Sequence, residues 1–316
     1  MKSFLVVLLK EKGGLFMPFR TLEITKPSEI HINFGQLEIT QEEKIIIPIE
    51  DLYQITTIGP NIRMSTMDVS ILSQNNVSIM TLDDKYLPTA IVLPFSGNSR
   101  QSQLMHAQVS FTEEKYRALW KRIVKLKIEN QARNLTLLGL NGAERISPYA
   151  QNINDENVDY SEATAAKDYF QEYHIGLNRR GDDPVNSRLN YGYAIVRSAI
   201  ARALVCTGFH PAFGIHHNNQ LNAFNLADDL IEPYRAMVDQ VAYFNIGSNE
   251  ILNKAERKEL AGVLFNACMI NGTKVNIISA IELMCESLKR IILDGSNEKL
   301  QLPTILAKEN MEDITE

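Results

Sequence analysis

Between Arg20 and about Val92, apolar and polar residues alternate with period two in short runs, the pattern of half-buried strands. Arg20-Thr-Leu-Glu-Ile-Thr25 is one such run. Ile30-His-Ile-Asn-Phe-Gly-Gln-Leu-Glu-Ile39 predicts a hairpin turning near Gly35-Gln36. Lys44–Ile49, Ile55–Ile58 and Val77–Leu82 predict further strands, and Ser65-Thr-Met-Asp68 predicts a capping box that opens a short helix through Leu72. At Leu93-Pro-Phe-Ser-Gly-Asn-Ser99 the texture changes to Pro, Gly and Ser, which marks a domain boundary.

Beyond that boundary the period is helical. Thr112–Lys127 turns Leu119, Trp120, Ile123, Val124 and Leu126 inward. Tyr160–Phe170 is an alanine-rich helix, and Asn186–Ala203 carries Leu189, Tyr193, Val196 and Ile200 on its periodic face. Further helical patterns follow Pro233 (Met237, Val238, Val241, Ala242, Phe244) and span about 255–269 and 276–293. The expected fold class is α+β: a small β-rich N-terminal domain over residues 17–97, then a larger all-α domain over 98–302. Residues 1–16 read as an extension ahead of Met17, and the polar, acidic segment 303–316 as a frayed tail.

Composition narrows the function classes. The 316 residues are 45% apolar and 22% charged, as in a soluble globular protein, and the net charge of −6 argues against a uniformly basic nucleic-acid binder. A local basic groove is compatible with that total. Three widely spaced cysteines (Cys206, Cys268, Cys285) form neither a metal-type pair nor a disulfide framework, which suits a reducing cytoplasm. No apolar run approaches the ~18 residues needed to span a bilayer. P-loop and dinucleotide fingerprints are absent.

Candidate chemistry concentrates between Gly208 and Arg235. His210, His216 and His217 crowd a Gly/Pro-punctuated loop, and Asp228, Asp229 and Glu232 follow at spacings that can share a helix face. Carboxylates so placed repel, and a cation between them offsets that cost. The other reading of the same residues is a set of loop histidines beside a solvated acidic face. His217 and Glu232 are too far apart on one straight helix, about 22 Å, to share a ligand. The chain must therefore bend between them, with Asn218-Asn219 as a helix start. Glu162, in the first turn of its predicted helix, is accounted for by the helix dipole alone. Arg117, Lys121 and Lys125 recur every four residues, either as a solvated face or as a phosphate-contacting ridge.

Three segments together resemble the universal CRISPR spacer-acquisition integrase, the Cas-one family. They are Ser161-Glu-Ala-Thr-Ala-Ala-Lys-Asp-Tyr-Phe170, Asp183-Pro-Val-Asn-Ser-Arg-Leu-Asn-Tyr-Gly-Tyr193, and Gly208-x-x-Pro211-x-x-Gly214 leading into His217 and Asp229-Leu-Ile-Glu-Pro-Tyr-Arg235. The likeness runs from Met17 onward and includes Asp83-Asp-Lys-Tyr-Leu-Pro-Thr-Ala90. It implies that the helical domain is catalytic and that Glu162, His217 and Glu232 are both metal ligands and catalytic residues, with Asp229 a further candidate ligand. Glu at 232, where many members carry Asp, resembles the type II branch.

Two carboxylates and an imidazole, without thiolate, suit Mg²⁺ or Mn²⁺. The resemblance implies a DNA endonuclease and integrase in which the 3′-hydroxyl of a captured double-stranded fragment attacks a phosphodiester at the edge of a CRISPR repeat. His217 would serve as ligand or as proton carrier. Implied partners are a second copy of the chain, a small ferredoxin-like Cas-two subunit and the type II effector nuclease, with no membrane. Basic clusters (Arg117, Lys121, Lys125, Arg179, Arg180, Arg188) would hold the DNA. Rival readings are a branched-DNA nuclease outside immunity and a non-catalytic DNA-binding scaffold.

Overall fold

A computed structural model describes residues 20–59, 61–83, 88–95, 98–174, 179, 181, 183–244, 252–295 and 298–307. The expected extension 1–16 and residues 308–316 of the tail lie outside the described residues. The chain divides into two compact units, Met1–Ser99 and Arg100–Glu316.

The first unit holds two four-stranded sheets. In one, the order is β1 (Arg20–Ile24), β5 (Leu52–Ile58), β7 (Ser78–Leu82), β8 (Pro88–Val92). The first three strands run parallel and β8 is antiparallel. The other sheet runs β4 (Lys44–Pro48), β3 (Gln36–Thr40), β2 (Ser28–Asn33), β6 (Ile62–Met64). Strict alternation along β2 buries Ile30 and Ile32 and exposes Glu29 and His31, so only one face meets the core. β5 is buried on nearly every residue, as a parallel strand covered on both faces must be. The hairpin between β2 and β3 turns at Phe34-Gly35, both at positive φ, one residue earlier than the sequence predicts.

The predicted capping box is present and does more than start a helix. In α1 (Thr66–Gln74) the Ser65 hydroxyl accepts from Asp68 N–H at 3.1 Å, and Asp68 Oδ2 accepts from Ser65 N–H at 3.1 Å. Asp68 Oδ1 accepts from Ile32 N–H at 2.8 Å, so one buried carboxylate pins the helix onto β2. Apolar side chains such as Leu37, Ile39, Ile55, Leu72 and Val77 close the core beneath it.

The second unit is mostly helical, as expected. It comprises α2 (Gln101–Ser110), α3 (Glu113–Leu137), α4 (Ala143–Gln151), α5 (Val158–Tyr173), α6 (Pro184–Thr207), α7 (Asn225–Leu230), α8 (Arg235–Phe244), α9 (Lys254–Ala261) and α10 (Ile277–Asp294). Helix α6 is buried around most of its circumference by α7, α8, α9 and α10, which explains its apolar composition. Helix α3 packs on α4, on α5 and on a 3-10 turn at Glu232–Tyr234.

Three expectations fail here for physical reasons. The helical pattern at 255–269 stops at Ala261, and after a 3-10 turn the chain forms strand β9 (Ala267–Ile270) and a hairpin to β10 (Thr273–Asn276). Asn271-Gly272, both at positive φ, make that turn. The tail does not fray at Pro303: β11 (Thr304–Ile305) pairs with β9, giving the helical unit a small three-stranded sheet. Arg188 is not a surface cation. It is fully buried, with Nη2 at 2.6 Å from Glu256 Oε1 and Nη1 at 3.0 Å from the Pro184 carbonyl.

Removing one partner of a buried ion pair strands the other charge. Arg188→Ala should therefore lower unfolding free energy by about 3–5 kcal/mol in chemical denaturation. A change within about 0.5 kcal/mol would return Arg188 to the surface class.

Candidate functional site

The site is built on one face of α3. Trp120, Lys127, Asn130 and Asn134 recur at helical spacing and are buried, so this face carries polar groups where its neighbours Ile123, Ile128 and Leu135 are apolar. Lys127 Nζ stands 2.5 Å from Glu162 Oε1 on α5 and 2.6 Å from Glu232 Oε2 in the 3-10 turn. The two carboxylate oxygens are therefore no further apart than those two distances together. Arg235 Nε meets the other Glu232 oxygen at 2.9 Å.

Burial by itself would raise the Glu232 pKa, but Arg235 and Lys127 outweigh it and hold the carboxyl at about 2. Burial likewise opposes the charge on Lys127, and Glu232 and Glu162 overcome it, so its pKa is raised. Glu232 Oε2, though within contact of the ammonium, is buried without an aligned hydrogen bond. Asn130 fixes the turn: its Nδ2 donates to the carbonyls of Pro233 at 2.7 Å and Pro303 at 2.9 Å, and its Oδ1 accepts from Ile305 N–H at 3.1 Å.

The histidine loop is wound around Asp229. Gly208 closes α6 at φ 102°, and the chain then passes the Asp229 side chain. Asp229 Oδ2 accepts from the N–H groups of Ile215 at 2.5 Å and His216 at 3.0 Å. Oδ1 accepts from His217 N–H at 3.1 Å and meets His217 Nδ1 at 2.6 Å. A Cβ at Gly214 would collide with the His217 carbonyl and lie 2.8 Å from Asp229 Oδ2, so only glycine lets the loop wrap this closely. The Asp229 hydrogen bond, against partial burial and with help from nearby carboxylates including Glu232, raises the His217 pKa. With Nδ1–H given to Asp229, the Nε2 lone pair is the imidazole's ligating position. His216 stacks on Trp120 with ring centroids 4.3 Å apart, and His210 anchors the loop through backbone bonds to Gln108.

The three carboxylates of the sequence motif do not share a face. Helix α7 ends at Leu230 and the chain tightens into the 3-10 turn, so each carboxylate goes its own way. Asp228 pairs with Arg197, Asp229 with the loop amides, and Glu232 with Lys127 and Arg235. Both Asp229 oxygens accept hydrogen bonds from the histidine loop. Asn218-Asn219 starts no helix; Asn219, Asn222 and Asn225 knit the loop, and α7 begins at Asn225. Because α5 begins at Val158, Glu162 sits beyond its first turn, and the helix dipole no longer accounts for it.

Glu162 and Glu232 thus converge. Asp229 holds His217 through Nδ1, a bond that does not involve Nε2; among the described residues no three His, Cys, Asp or Glu side chains are grouped closely enough to hold an ion as they stand. Of the basic stripe, Arg117 faces Glu113 at 2.6 Å, Lys121 faces Asp155 at 2.6 Å, and Lys125 is exposed. Arg179 lies over the rings of Phe170 and Tyr193, and Arg180 falls outside the described residues.

Lys127, Asn130 and Asp239 were not singled out by the sequence, and Arg235 only as the last residue of a motif. Their signal was present, as polar residues on apolar helix faces. Asp239, 1% exposed, accepts from Tyr169 Oη at 2.9 Å and from Tyr193 Oη, and Asn134 donates to Tyr169 Oη at 2.7 Å. Arg235 lies over the Tyr193 ring at 4.7 Å, so this network supports the guanidinium that holds Glu232. Burial pushes the Asp239 pKa from 3.8 to about 6 despite the tyrosine bonds and nearby arginines.

The sequence model of the family described as CRISPR associated protein Cas1 matches residues 22–271. A relative from Neisseria meningitidis serogroup C (strain 8013), named CRISPR-associated endonuclease Cas1, is 30% identical over 296 residues, covering 92% of this chain and 97% of its own. Among solved structures, a casposase bound to integration product superposes with TM-score 0.76 at 17% identity, over 93% of this chain and 97% of that one. A chain of a Cas6-RT-Cas1–Cas2 complex matches with TM-score 0.68 at 17% identity, over 92% of this chain and 36% of that one. At such identities the structural matches speak for the fold. No described helix is long and apolar enough to cross a membrane.

Two measurements check this geometry. Asp229→Asn should lower the His217 pKa in an NMR titration and cost about 1–3 kcal/mol of stability, because the amides of 215–217 lose their carboxylate. For Asp239 the folded pKa lies above the unfolded one, so the unfolded chain binds fewer protons between about 4 and 6 and stability falls as pH rises through that window. Melting temperatures of Asp239→Asn minus wild type should therefore climb from pH 4 to 6 and level off above. A flat difference would mean that Asp239 titrates normally.

Proposed function

The chain belongs to the CRISPR associated protein Cas1 family, and on that premise we propose that it is a metal-dependent DNA endonuclease and integrase that inserts captured foreign DNA fragments into a CRISPR array. The observation that carries this reading is the convergence of Glu162 and Glu232, from α5 and the 232–234 turn, on one buried cation. A pair of carboxylates held around a positive charge, with one buried oxygen lacking an aligned hydrogen bond, fits a divalent cation. Glu162, Glu232 and His217 Nε2 are the groups that would hold Mg²⁺ or Mn²⁺ there. When bound, such an ion polarises a phosphodiester oxygen and offsets charge developing at phosphorus.

In the proposed transfer, the 3′-oxygen of the fragment bonds to phosphorus at the repeat edge. The bond from that phosphorus to the neighbouring 3′-oxygen breaks, and the proton lost by the attacking hydroxyl is balanced by one gained on the leaving oxygen. The number of phosphodiester bonds is unchanged. With water as nucleophile the same site is a nuclease. Asp229 keeps the His217 ring oriented, and Arg235 keeps Glu232 ionised. Lys125, with Arg117 and Lys121 if they exchange their carboxylate partners for phosphates, would contact the DNA backbone.

Glu232 and the likeness to the Neisseria meningitidis protein support a type II-like branch. The fold shared with a chain of the Cas6-RT-Cas1–Cas2 complex supports work with a Cas2-type subunit. A second copy of the chain and the type II effector nuclease complete the expected assembly.

Incubating the protein and its Cas2-type subunit with a 3′-hydroxyl DNA fragment, a repeat-containing plasmid and Mn²⁺ should join fragment to plasmid. Glu162→Gln, His217→Ala and Glu232→Gln should each cut joining by about a hundredfold or more, with fragment binding nearly unchanged. Joining that survives all three changes together would sink the proposal. Cleavage without joining would favour a nuclease outside immunity.

A further inference from the structure

Neither the proposed ligand set nor the transfer step uses Lys127, yet its ammonium stands between two of the three proposed ligands. Building on the metal-dependent reading, we propose that Lys127 is a displaceable counter-ion. It holds Glu162 and Glu232 together before a divalent cation arrives, and then yields its position to that cation.

Four observations carry this. Lys127 and Glu232 are nearly out of solvent, so two carboxylates brought this close without a cation would repel in a poorly screened environment. The ammonium matches the role of a metal ion in place and charge sign: it is the group on which both carboxylates converge. Glu232 also holds Arg235 at 2.9 Å through its other oxygen, so moving the ammonium does not leave that carboxylate without a cation. Finally, lysine carries its charge on a flexible four-carbon stem, and the backbone beneath Lys127 is fixed. Asn130 and Asn134, one and two turns along α3, clamp the helix to the 232–234 turn and to α5.

The charge count shows what the exchange does. Lys127 and Arg235 offset Glu162 and Glu232, and Asp229 beside His217 adds a negative charge, so without metal this cluster has no positive surplus to attract a phosphodiester. A divalent cation added while Lys127 stays nearby shifts that balance by two positive charges, which favours a DNA phosphate beside it. The lysine thereby makes phosphate capture at this point conditional on the metal. A merely structural ion pair would stay in place and do none of this.

The tests use the full chain and two metals as probes. In calorimetric titration with Mn²⁺, Lys127→Met should bind about fivefold more tightly or better than wild type, because no ammonium has to be displaced. The same variant should melt lower than wild type in a chelator and recover most of the difference on adding Mn²⁺. In the wild-type protein, the Lys127 ¹⁵Nζ resonance should shift during Mg²⁺ titration and saturate with binding. Equal or weaker Mn²⁺ affinity in Lys127→Met would overturn the proposal, as would an unmoved Nζ resonance at saturating Mg²⁺. If the variant does not fold, the resonance decides alone. The metal reading fails separately: Mn²⁺ binding unaffected by both Glu162→Gln and Glu232→Gln would place the ion elsewhere and remove this role with it.

Discussion

One buried ammonium organises the helical unit. Lys127 has to be charged because two carboxylates surround it, and Glu232 has to be charged because Lys127 and Arg235 surround it. Groups of this kind are costly to bury singly and tolerable only as a set. That mutual requirement ties α3, α5 and the 232–234 turn to one another, whatever their apolar packing contributes. The surrounding polar contacts hold the members of that set in place. Asn130 fixes the backbone that carries Glu232, and the Tyr169–Asp239–Tyr193 network supports Arg235 from behind.

Asp229 imposes a second, local constraint. A loop rich in Gly, Pro, His and Asn has little apolar surface to hold it, and here it closes around a carboxylate that collects three consecutive amides and one imidazole nitrogen. Charge-assisted bonds of this sort substitute for a hydrophobic core in an irregular segment. They also orient His217 through its Nδ1.

Much of the β-rich unit was legible from the sequence because its signals are local. Period-two alternation in β2 and the Ser65/Asp68 box each depend on residues a few positions apart, and both match the structure. Helices α3, α5, α6, α8 and α10 were legible for the same reason. The β9–β10 hairpin was not, because its apolar run suits helix or strand equally, and pairing with β11 from 30 or more positions downstream decided between them. Arg188 was misread because a lone arginine in a helix carries no sign of the Glu256 that buries it.

For the site, the sequence by itself determined the family, the order of its motifs and which side chains could serve as ligands. These are matters of residue identity and spacing. Only the tertiary structure decided which of them meet. Glu162 and Glu232 lie 70 positions apart and come together because Lys127, on a third element, needs both. Asp228, Asp229 and Glu232 are neighbours in the chain and separate because a helix ends and a 3-10 turn begins between them. Spacing constrains direction only while the backbone geometry is constant, and electrostatic partners far away in sequence set where each carboxylate finally points.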